Sequence, residues 1–556
     1  MVRHVVNLFY REFKGLHQAA YVLALFAFGS QILALFRDRA LAHTFGASLE
    51  LDLYYLAFRI PDVLYWVFAA MLSVYVLIPF VTRHQTNAGA KAAATLLSQV
   101  FTFFVITYAF FALLLLLLAP LFVPILFPAL DAGATEQLVA LLRILLVQPF
   151  LLGCSALMGV ITQLRQRFIV YAISPILYNI GILFGILALY PHYGLYGLIS
   201  GVIIGAIAHA AVQLPLVLKS ELRFGFTYPA WRPIREIMIV AIPRAVTLSL
   251  HQVVLLVLAI LAATMTIGSV SVFQFAFNLQ SVPLAIIGVS YSVAAFPVLA
   301  RLLADNELQQ FKRHVHTAFR HIIFWSLPVI VLAIILRAHL VRVILGSGNF
   351  GWDDTRLTAA VFALFVLSLL AQAINLLTVR AFYASGDTRT PLLVTIVSST
   401  ITLCTAWFLY YVAYQVAAVR TFMEQILRLE DVGGTEVILL ALAFSFGMLV
   451  QAASMMYLLQ RVFPKIYSGM MKTFYQVSVA SVITGLATYV TLNFIVKGIN
   501  QETFVGIFLQ GSIAGLVGIL CAYITLRLLR SEELHEIQNS IRRRFSKRVF
   551  TSLDTR

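Results

Sequence analysis

The stretch "LALFRDRALAHTFG", Leu33–Gly46, follows an apolar run that starts near Ala19 and sets Arg37, Asp38 and Arg39 side by side before the helical pattern ends. An Arg or Asp at the middle of a bilayer costs about 2.5–3.5 kcal/mol on insertion scales. Three together are tolerable only on a helix that turns them from lipid toward protein or water. Two things follow from this stretch: the chain must be placed in or out of a membrane, and its charges must be given something to face.

Composition settles the first. Of 556 residues 61% are hydrophobic and 11% charged, and the mean hydropathy is +0.93. Apolar runs recur from end to end, while charge is confined to short connectors. That pattern excludes a soluble multidomain protein and reads as an all-α polytopic membrane protein. About fourteen segments approach the ~20 residues a spanning helix needs: 17–40, 52–80, 95–126, 137–161, 169–190, 194–218, 237–264, 269–299, 317–345, 357–382, 391–416, 437–460, 473–496 and 503–529. The first run is too long for a signal peptide and lacks a small-residue cleavage site, so it is expected to remain as the first span. Cys154, Cys404 and Cys521 sit far apart inside apolar runs, which supports neither a disulfide framework nor a metal site. "GSGNFG", Gly346–Gly351, follows a helix rather than a strand and reads as a turn, not a phosphate cradle.

The formal charge of +16 is informative through its distribution. Alternate connectors carry Arg3, Arg11 and Lys14; Arg83 and Lys91; Arg165 and Arg167; Lys219, Arg223, Arg232 and Arg235; Arg301, Lys312, Arg313 and Arg320; Arg380 and Arg389; Arg461, Lys465 and Lys472; and the tail from Arg527. The connectors between them hold only Arg356, Arg420, Arg428 and Lys497, with the acidic stretches "PALDAGATEQ" and "GWDD". By the positive-inside rule both termini are cytoplasmic and the span count is even. The basic excess thus reports topology and contact with anionic lipids, and no nucleic-acid groove is expected.

An internal repeat organises the chain. "LIPFVTR", with Pro79 and Arg83, matches "AAFPVLAR", with Pro297 and Arg301, and at nearly the same offset Pro175 matches Pro391. "LAFRIP" (Leu56–Pro61) and "FAFNLQSVP" (Phe275–Pro283) are also alike. The expected architecture is an N-terminal six-helix lobe, residues 1–230, and a second, 231–462. Two additional spans at 463–530 and a basic cytoplasmic tail at 531–556 follow. Six spans between equivalent helices give the lobes one orientation, and parallel repeats of this kind place a substrate site between halves that rock against each other.

The charges inside spans then become candidates. In "LDLYYLAFRIPD", Asp52 and Arg59 lie seven apart on one helical face with Tyr55 between them, and Pro61 is expected to kink the span. In "IPRAVTLSLHQVV", Arg244 shares a face with His251 and Gln252; the eighth segment offers Gln274, Asn278 and Ser281. Arg37 and these residues could line one water-filled cavity facing a charged substrate, since intramembrane ionisable residues usually mark a transport path. Alternatively the charges tie the lobes together, Arg37 with Asp52 for example. Arg337 and Arg342 can snorkel, and Arg143 is within reach of an interface or a carbonyl. The tail "HEIQNSIRRRFSKRVF" places Ile537, Ile541 and Phe545 on one face, suited to an anionic leaflet, though a solvated tail fits as well.

At these same residues the sequence resembles the MurJ/MviN family of lipid II flippases, within the MATE-related (MOP) exporter superfamily. The carrying stretches are "SQILALFRDRALAHTFGASLELDLYYLAFRIPD" (Ser30–Asp62), "AISPILYNIGILFG" (Ala172–Gly185) and "AFYASGDTRTPLLV" (Ala381–Val394); "ILGSGNFGWDDT" resembles the family's Leu-Phe-x-x-Gly-x-Phe turn. The resemblance implies fourteen spans in two lobes and a cationic central cavity for the diphosphate and head group of the lipid-linked cell-wall precursor, with a groove beside the last two helices for its polyprenyl tail. It also implies a bacterial cytoplasmic membrane location, a role in peptidoglycan biosynthesis, no cofactor, and cell-wall synthesis proteins as candidate partners. On it, Arg37 and Asp38 match the family's Arg-Asp pair, Asp52 its acidic residue and Arg59 a basic position before the Pro. The chain departs from the pattern at Gln31, Tyr65 and Asn278, where the family has Arg; Arg244 and His251 are the expected partial replacements. Two other readings stand beside a flippase: an exporter of another polyprenyl-linked oligosaccharide or amphipathic small molecule, and a transport-inactive envelope scaffold. No paired carboxylates in a large external loop suggest an enzyme. The 417–436 loop reads as an external amphipathic helix.

Overall fold

The computed structural model describes residues 16–500 and 503–539, all helices and connectors, with no strand among them. In chain order the helices are α1 Leu16–Phe45, α2 Leu49–Met71, α3 Val74–Leu126, α4 Ala132–Leu145, α5 Val147–Leu164, α6 Phe168–Phe184, α7 Tyr190–Ala211, α8 Leu214–Leu218, α9 Trp231–Ala263 and α10 Ser269–Leu284. There follow α11 Ser290–Ala304, α12 Leu308–Ile335, α13 Arg337–Leu345, α14 Trp352–Leu367, α15 Leu369–Ala384, α16 Arg389–Phe408, α17 Ala417–Leu427, α18 Ile438–Val462, α19 Met470–Val490 and α20 Phe504–Leu528. Arg3, Arg11 and Lys14, with Ile541 and Phe545 of the tail, lie outside the described residues.

Among the described residues ten helical runs are long and apolar enough to cross a membrane, eleven with the bent pair α14–α15, whose halves meet at 42°. Two of the ten, Leu49–Leu126 and Phe168–Leu218, each cover two of the segments expected from hydropathy. Both contain a break where only glycine is comfortable: Gly89 has φ of 81° inside α3 and Gly194 has φ of 56° inside α7. The helix expected in the 417–436 loop appears as α17, and "GSGNFG" is a turn, with Gly348 at φ 57°.

Helix contact follows small residues. Gly181 of α6 and Gly185, just past its end, face Gly201 and Gly205 of α7, and a Cβ built on Gly181 would lie 2.2 Å from the Gly205 Cα. Such small-xxx-small faces let membrane helices approach to backbone contact, where packing replaces the missing hydrophobic drive. Buried apolar side chains form two clusters. The first runs from Leu41 to Phe444 and joins side chains from before and after residue 230; the second unites Leu299–Phe324 with Leu377, Met455 and Leu526. The chain is therefore knit across its middle at one end of the bundle, the end carrying Gly46, Gly268 and Gly348.

Candidate functional site

A cavity of about 180 Å³ opens between α1, α2, α6 and α10, lined by Arg37, Leu41, Tyr54, Tyr55, Phe58, Arg59, Asp62, Tyr178, Ile182, Gln274 and Asn278. Its polar walls form one continuous chain. Arg37 donates to Asp38 Oδ1 from Nη2 at 2.7 Å and from Nε at 3.0 Å, and its Nη1 donates to Asn179 Oδ1 at 3.0 Å. Asp38 takes a third hydrogen bond, on Oδ2, from Asn278 Nδ2 at 3.0 Å. Gln274 Nε2 donates to Asn278 Oδ1 at 2.7 Å, and Arg59 Nη2 donates to Gln274 Oε1 at 2.6 Å. Asp38 is 3% exposed and Arg59 7%; at that burial, charges persist only when paired and hydrogen-bonded.

The answer to the opening stretch is thus residue-specific. Arg37 and Asp38 face the cavity as a pair, whereas Arg39 turns outward and caps the end of α13, donating to the carbonyls of Val343 at 2.7 Å and Ile344 at 3.2 Å. Those carbonyls belong to the last turn of a helix, where no intrahelical donor exists. Asp62, one turn beyond Arg59, also lines the cavity. The wall thus holds two carboxylates beside its two guanidiniums, and of these four groups only Arg37 and Asp38 stand within ion-pair distance of each other.

Two donors in this wall are unspent. Arg59 Nε and the Tyr55 hydroxyl are buried and have no hydrogen-bond partner among the described residues. A buried donor left unmatched costs about 1–3 kcal/mol, and an acceptor brought by a ligand would relieve it.

Asp52 serves a different place. Its carboxylate, 5% exposed, accepts from Gly268 N and Ser271 N, each at 2.7 Å, and from Ser271 Oγ at 2.5 Å. It sits on the N-terminus of α10, where free N–H groups and the helix dipole favour an anion. It pairs with neither Arg37 nor Arg59, which corrects the expected Arg37–Asp52 tie. Around it the connectors interlock: Asn349 N donates to His43 O at 3.0 Å and Asn349 Nδ2 to Thr44 O at 2.7 Å. Gly268, at φ 92°, has no room for a side chain beside the Ala47 carbonyl. The cavity is closed at this end.

Arg244, His251 and Gln252 do not line the cavity. Their common face on α9 is real, but it meets other partners: the His251 ring stands 6.1 Å from Phe444 and 6.5 Å from Phe277, and Arg244 lies near Tyr383. Gln31 is partly buried on α1, six residues before Arg37. Tyr54, Asp62, Tyr178 and Asn179 were missed. Asp62 had a signal, standing three residues after Arg59 on one helical face; the α6 pair had none, because its contact with Arg37 joins residues far apart in sequence.

The sequence profile of the family described as "Lipid II flippase MurJ" matches residues 41–513, most of the chain. The chain belongs to the MurJ family. Among its relatives are two proteins each named a probable lipid II flippase MurJ. That of Thermotoga maritima is 26% identical over 522 residues, covering 92% of this chain and 97% of the relative; that of Rickettsia prowazekii is 26% identical over 388 residues, covering 69% and 76%. A solved structure of lipid II flippase MurJ in an inward closed conformation superposes with a TM-score of 0.72 at 22% identity, over 92% of this chain and 99% of that one. A MATE family transporter of the MOP superfamily, in an inward-facing conformation, gives 0.64 at 14% identity, over 79% and 96%. The fold is that of MurJ and the MATE-like exporters, and the protein is a multi-span membrane protein of the MurJ family.

Proposed function

We propose that this chain carries the diphosphate-linked peptidoglycan precursor, lipid II, from the inner to the outer leaflet of a bacterial cytoplasmic membrane by alternating access. The observation that carries the reading is the pair of unspent donors, Arg59 Nε and Tyr55 OH, beside two guanidiniums in a cavity between α1, α2, α6 and α10. An incoming diphosphate offers several anionic acceptors to these groups and competes with Asp38 for Arg37. Charge-assisted hydrogen bonds of this kind are roughly twice as strong as neutral ones.

Residues 1–230 and 231–462 act as two rocking lobes, and 463–530 offer a groove for the polyprenyl chain, which stays in lipid while the head group crosses. Both termini face the cytoplasm by the positive-inside rule, so the interlocked end at Asp52 and Gly268 is the outer gate, here shut. Binding favours the other state only to the extent that the diphosphate is held more tightly there. No bond is made or broken, and no metal or cofactor takes part. The basic tail rests on anionic lipids, and enzymes of cell-wall synthesis are its expected neighbours.

The deciding experiment is rescue of a bacterium depleted of its own lipid II flippase. Rescue by the intact chain, and its loss in Arg37→Ala at equal membrane abundance, is the expected result. Absence of rescue by an abundant wild-type chain would overturn the substrate assignment in favour of another polyprenyl-linked oligosaccharide or a scaffold. Equal rescue by Arg37→Ala would remove Arg37 from the transport path.

A further inference from the structure

A second crevice lies away from the central cavity, between the last turns of α3 and the start of α4. It holds about 610 Å³ and is lined by Pro120, Pro124, Pro128, Glu136, Val139 and Arg143 among others. Three prolines at four-residue intervals have a specific effect. Pro120 and Pro124 lie inside α3 and lack the N–H that would close the turn behind them, so the carbonyls of Leu116 and Pro120 lose their helical donors, and the Pro124 carbonyl, in the last turn, has no residue ahead of it in the helix to supply one. Arg143 replaces the first of these, its Nε donating to Leu116 O at 3.0 Å. That bond explains how an arginine is tolerated at this depth, and it occupies only Nε of the guanidinium. The Pro120 and Pro124 carbonyls remain as acceptors along the same wall.

Glu136 and Arg143 lie two turns apart on one face of α4, about 10 Å along the axis. The carboxylate is nearer the connector at Asp131 and the guanidinium deeper in the span. Farther from the connector than Leu116 the flank of α3 is apolar and uncovered: Phe110 and Leu113 are 63% and 57% exposed. Carboxylate at the rim, guanidinium below and bare apolar side chains deeper still reproduce, with signs reversed, the order of groups in a zwitterionic phospholipid: ammonium outermost, phosphate beneath, acyl chains last.

We propose that this crevice binds the head group of a phospholipid bearing a primary amine, phosphatidylethanolamine, from the leaflet at the Asp131 end of the bundle. The phosphate pairs with the terminal amino groups of Arg143. The ammonium donates to Glu136 and to the carbonyls that the prolines leave free. A primary ammonium has three hydrogens for these acceptors, whereas the trimethylammonium of phosphatidylcholine has none. Phosphatidylglycerol, an anion without an amine, meets Glu136 as a like charge. The site selects by chemistry on the exterior of the bundle and does not depend on what the central cavity carries.

The test is native mass spectrometry of the intact, purified chain titrated separately with phosphatidylethanolamine, phosphatidylcholine and phosphatidylglycerol of matched acyl chains. Phosphatidylethanolamine is expected to bind about tenfold more tightly than either of the others, the scale of one charge-assisted hydrogen bond. Glu136→Gln, a change at an exposed side chain, should abolish that preference while the protein keeps its thermal midpoint in phosphatidylcholine. Arg143→Lys, which keeps the cation but forfeits the bond to Leu116 O, should weaken binding of phosphatidylethanolamine and phosphatidylglycerol alike. Equal affinity for the three lipids in the wild type, or an undiminished preference in folded Glu136→Gln, would overturn the proposal.

Discussion

Asp62 shows how one carboxylate can set the behaviour of a site. It lies one turn from Arg59 and shares the cavity with it, so the guanidinium is partly neutralised before any ligand arrives. Asp62→Asn is expected to leave a net positive cavity that holds a diphosphate about tenfold more tightly, read by direct binding to the purified protein, with slower turnover because release is retarded. A variant that bound less well would show instead that Asp62 orients Arg59. The Arg37–Asp38 pair was legible in "LFRDRA" because adjacent opposite charges inside an apolar run have few other uses. What faced it was not: Asn179 and Asn278 reach the pair from α6 and α10 only after folding. The same gap misplaced His251 and Arg244. Helical spacing fixes which residues share a face of α9, but nothing local says that Phe277 and Phe444 cover it.

Helices show a similar division. Apolar length gave the last three spans, Thr435–Val462, Met470–Ile495 and Phe504–Leu528, with ends within a few residues, since the bilayer sets a minimum that composition must meet; α12, Leu308–Ile335, is displaced from the expected 317–345 because its first turns are polar. The breaks at Gly89 and Gly194 were not legible, because a glycine in an apolar run reads equally as a packing residue. Gly201 is such a packing residue. Gly201→Leu would drive a side chain into the Gly185 backbone, where even a Cβ lies 2.3 Å from the Cα. A loss of about 1–3 kcal/mol is expected from such overpacking, visible as a lower thermal midpoint with the cavity residues untouched.

The short helix 532–539 after α20 is held by charge. Glu533 accepts from Arg320 Nε at 2.6 Å, Thr473 Oγ1 at 2.7 Å and Ser531 Oγ at 2.6 Å. Burial by itself would raise its pKa, and these hydrogen bonds outweigh it, bringing the carboxyl down to about 2. A depressed pKa stabilises docking in full above the free carboxyl value near 4.5 and loses that contribution as the pH falls from there toward 2. Hydrogen exchange over 532–539 should therefore be slow and flat above pH 5, after correction for intrinsic rates, and accelerate below it; Glu533→Gln should exchange fast throughout. At the opposite connectors Arg356 grips Asp431 at 2.6 and 2.8 Å and holds that carboxyl at about 2, which ties the 417–436 loop to α14.

The molecule as a whole is joined at one end. His43, Thr44, Ala47 and Asp52 on one side meet Gly268, Ser271 and Asn349 on the other through a handful of hydrogen bonds, over a buried apolar layer in which Tyr55 packs on Phe275 and Phe275 on Phe350. Replacing Thr44 and Asn349 with cysteines, after removing exposed Cys404, should allow a disulfide that blocks transport and is reversed by reductant. Unimpaired transport by the crosslinked protein would mean that this end need not open. The sequence held no sign that Asp52 would meet the start of α10, because two of the three hydrogen bonds there come from backbone N–H groups, which every residue type but proline carries.

The balanced charge of the cavity has an electrical consequence. A carrier whose site sums to zero moves no net charge when it resets empty, so that step is indifferent to the membrane voltage. The loaded step moves the charge of the diphosphate alone, and each elementary charge crossing 100 mV is worth about 2.3 kcal/mol. With the cell interior negative, an anion travelling outward runs down the field. The pairing of Arg37 with Asp38, and Asp62 as a formal counter-charge to Arg59 in the same cavity, would in this way make the cycle a rectifier: driven by voltage on the outward stroke and free of it on the return.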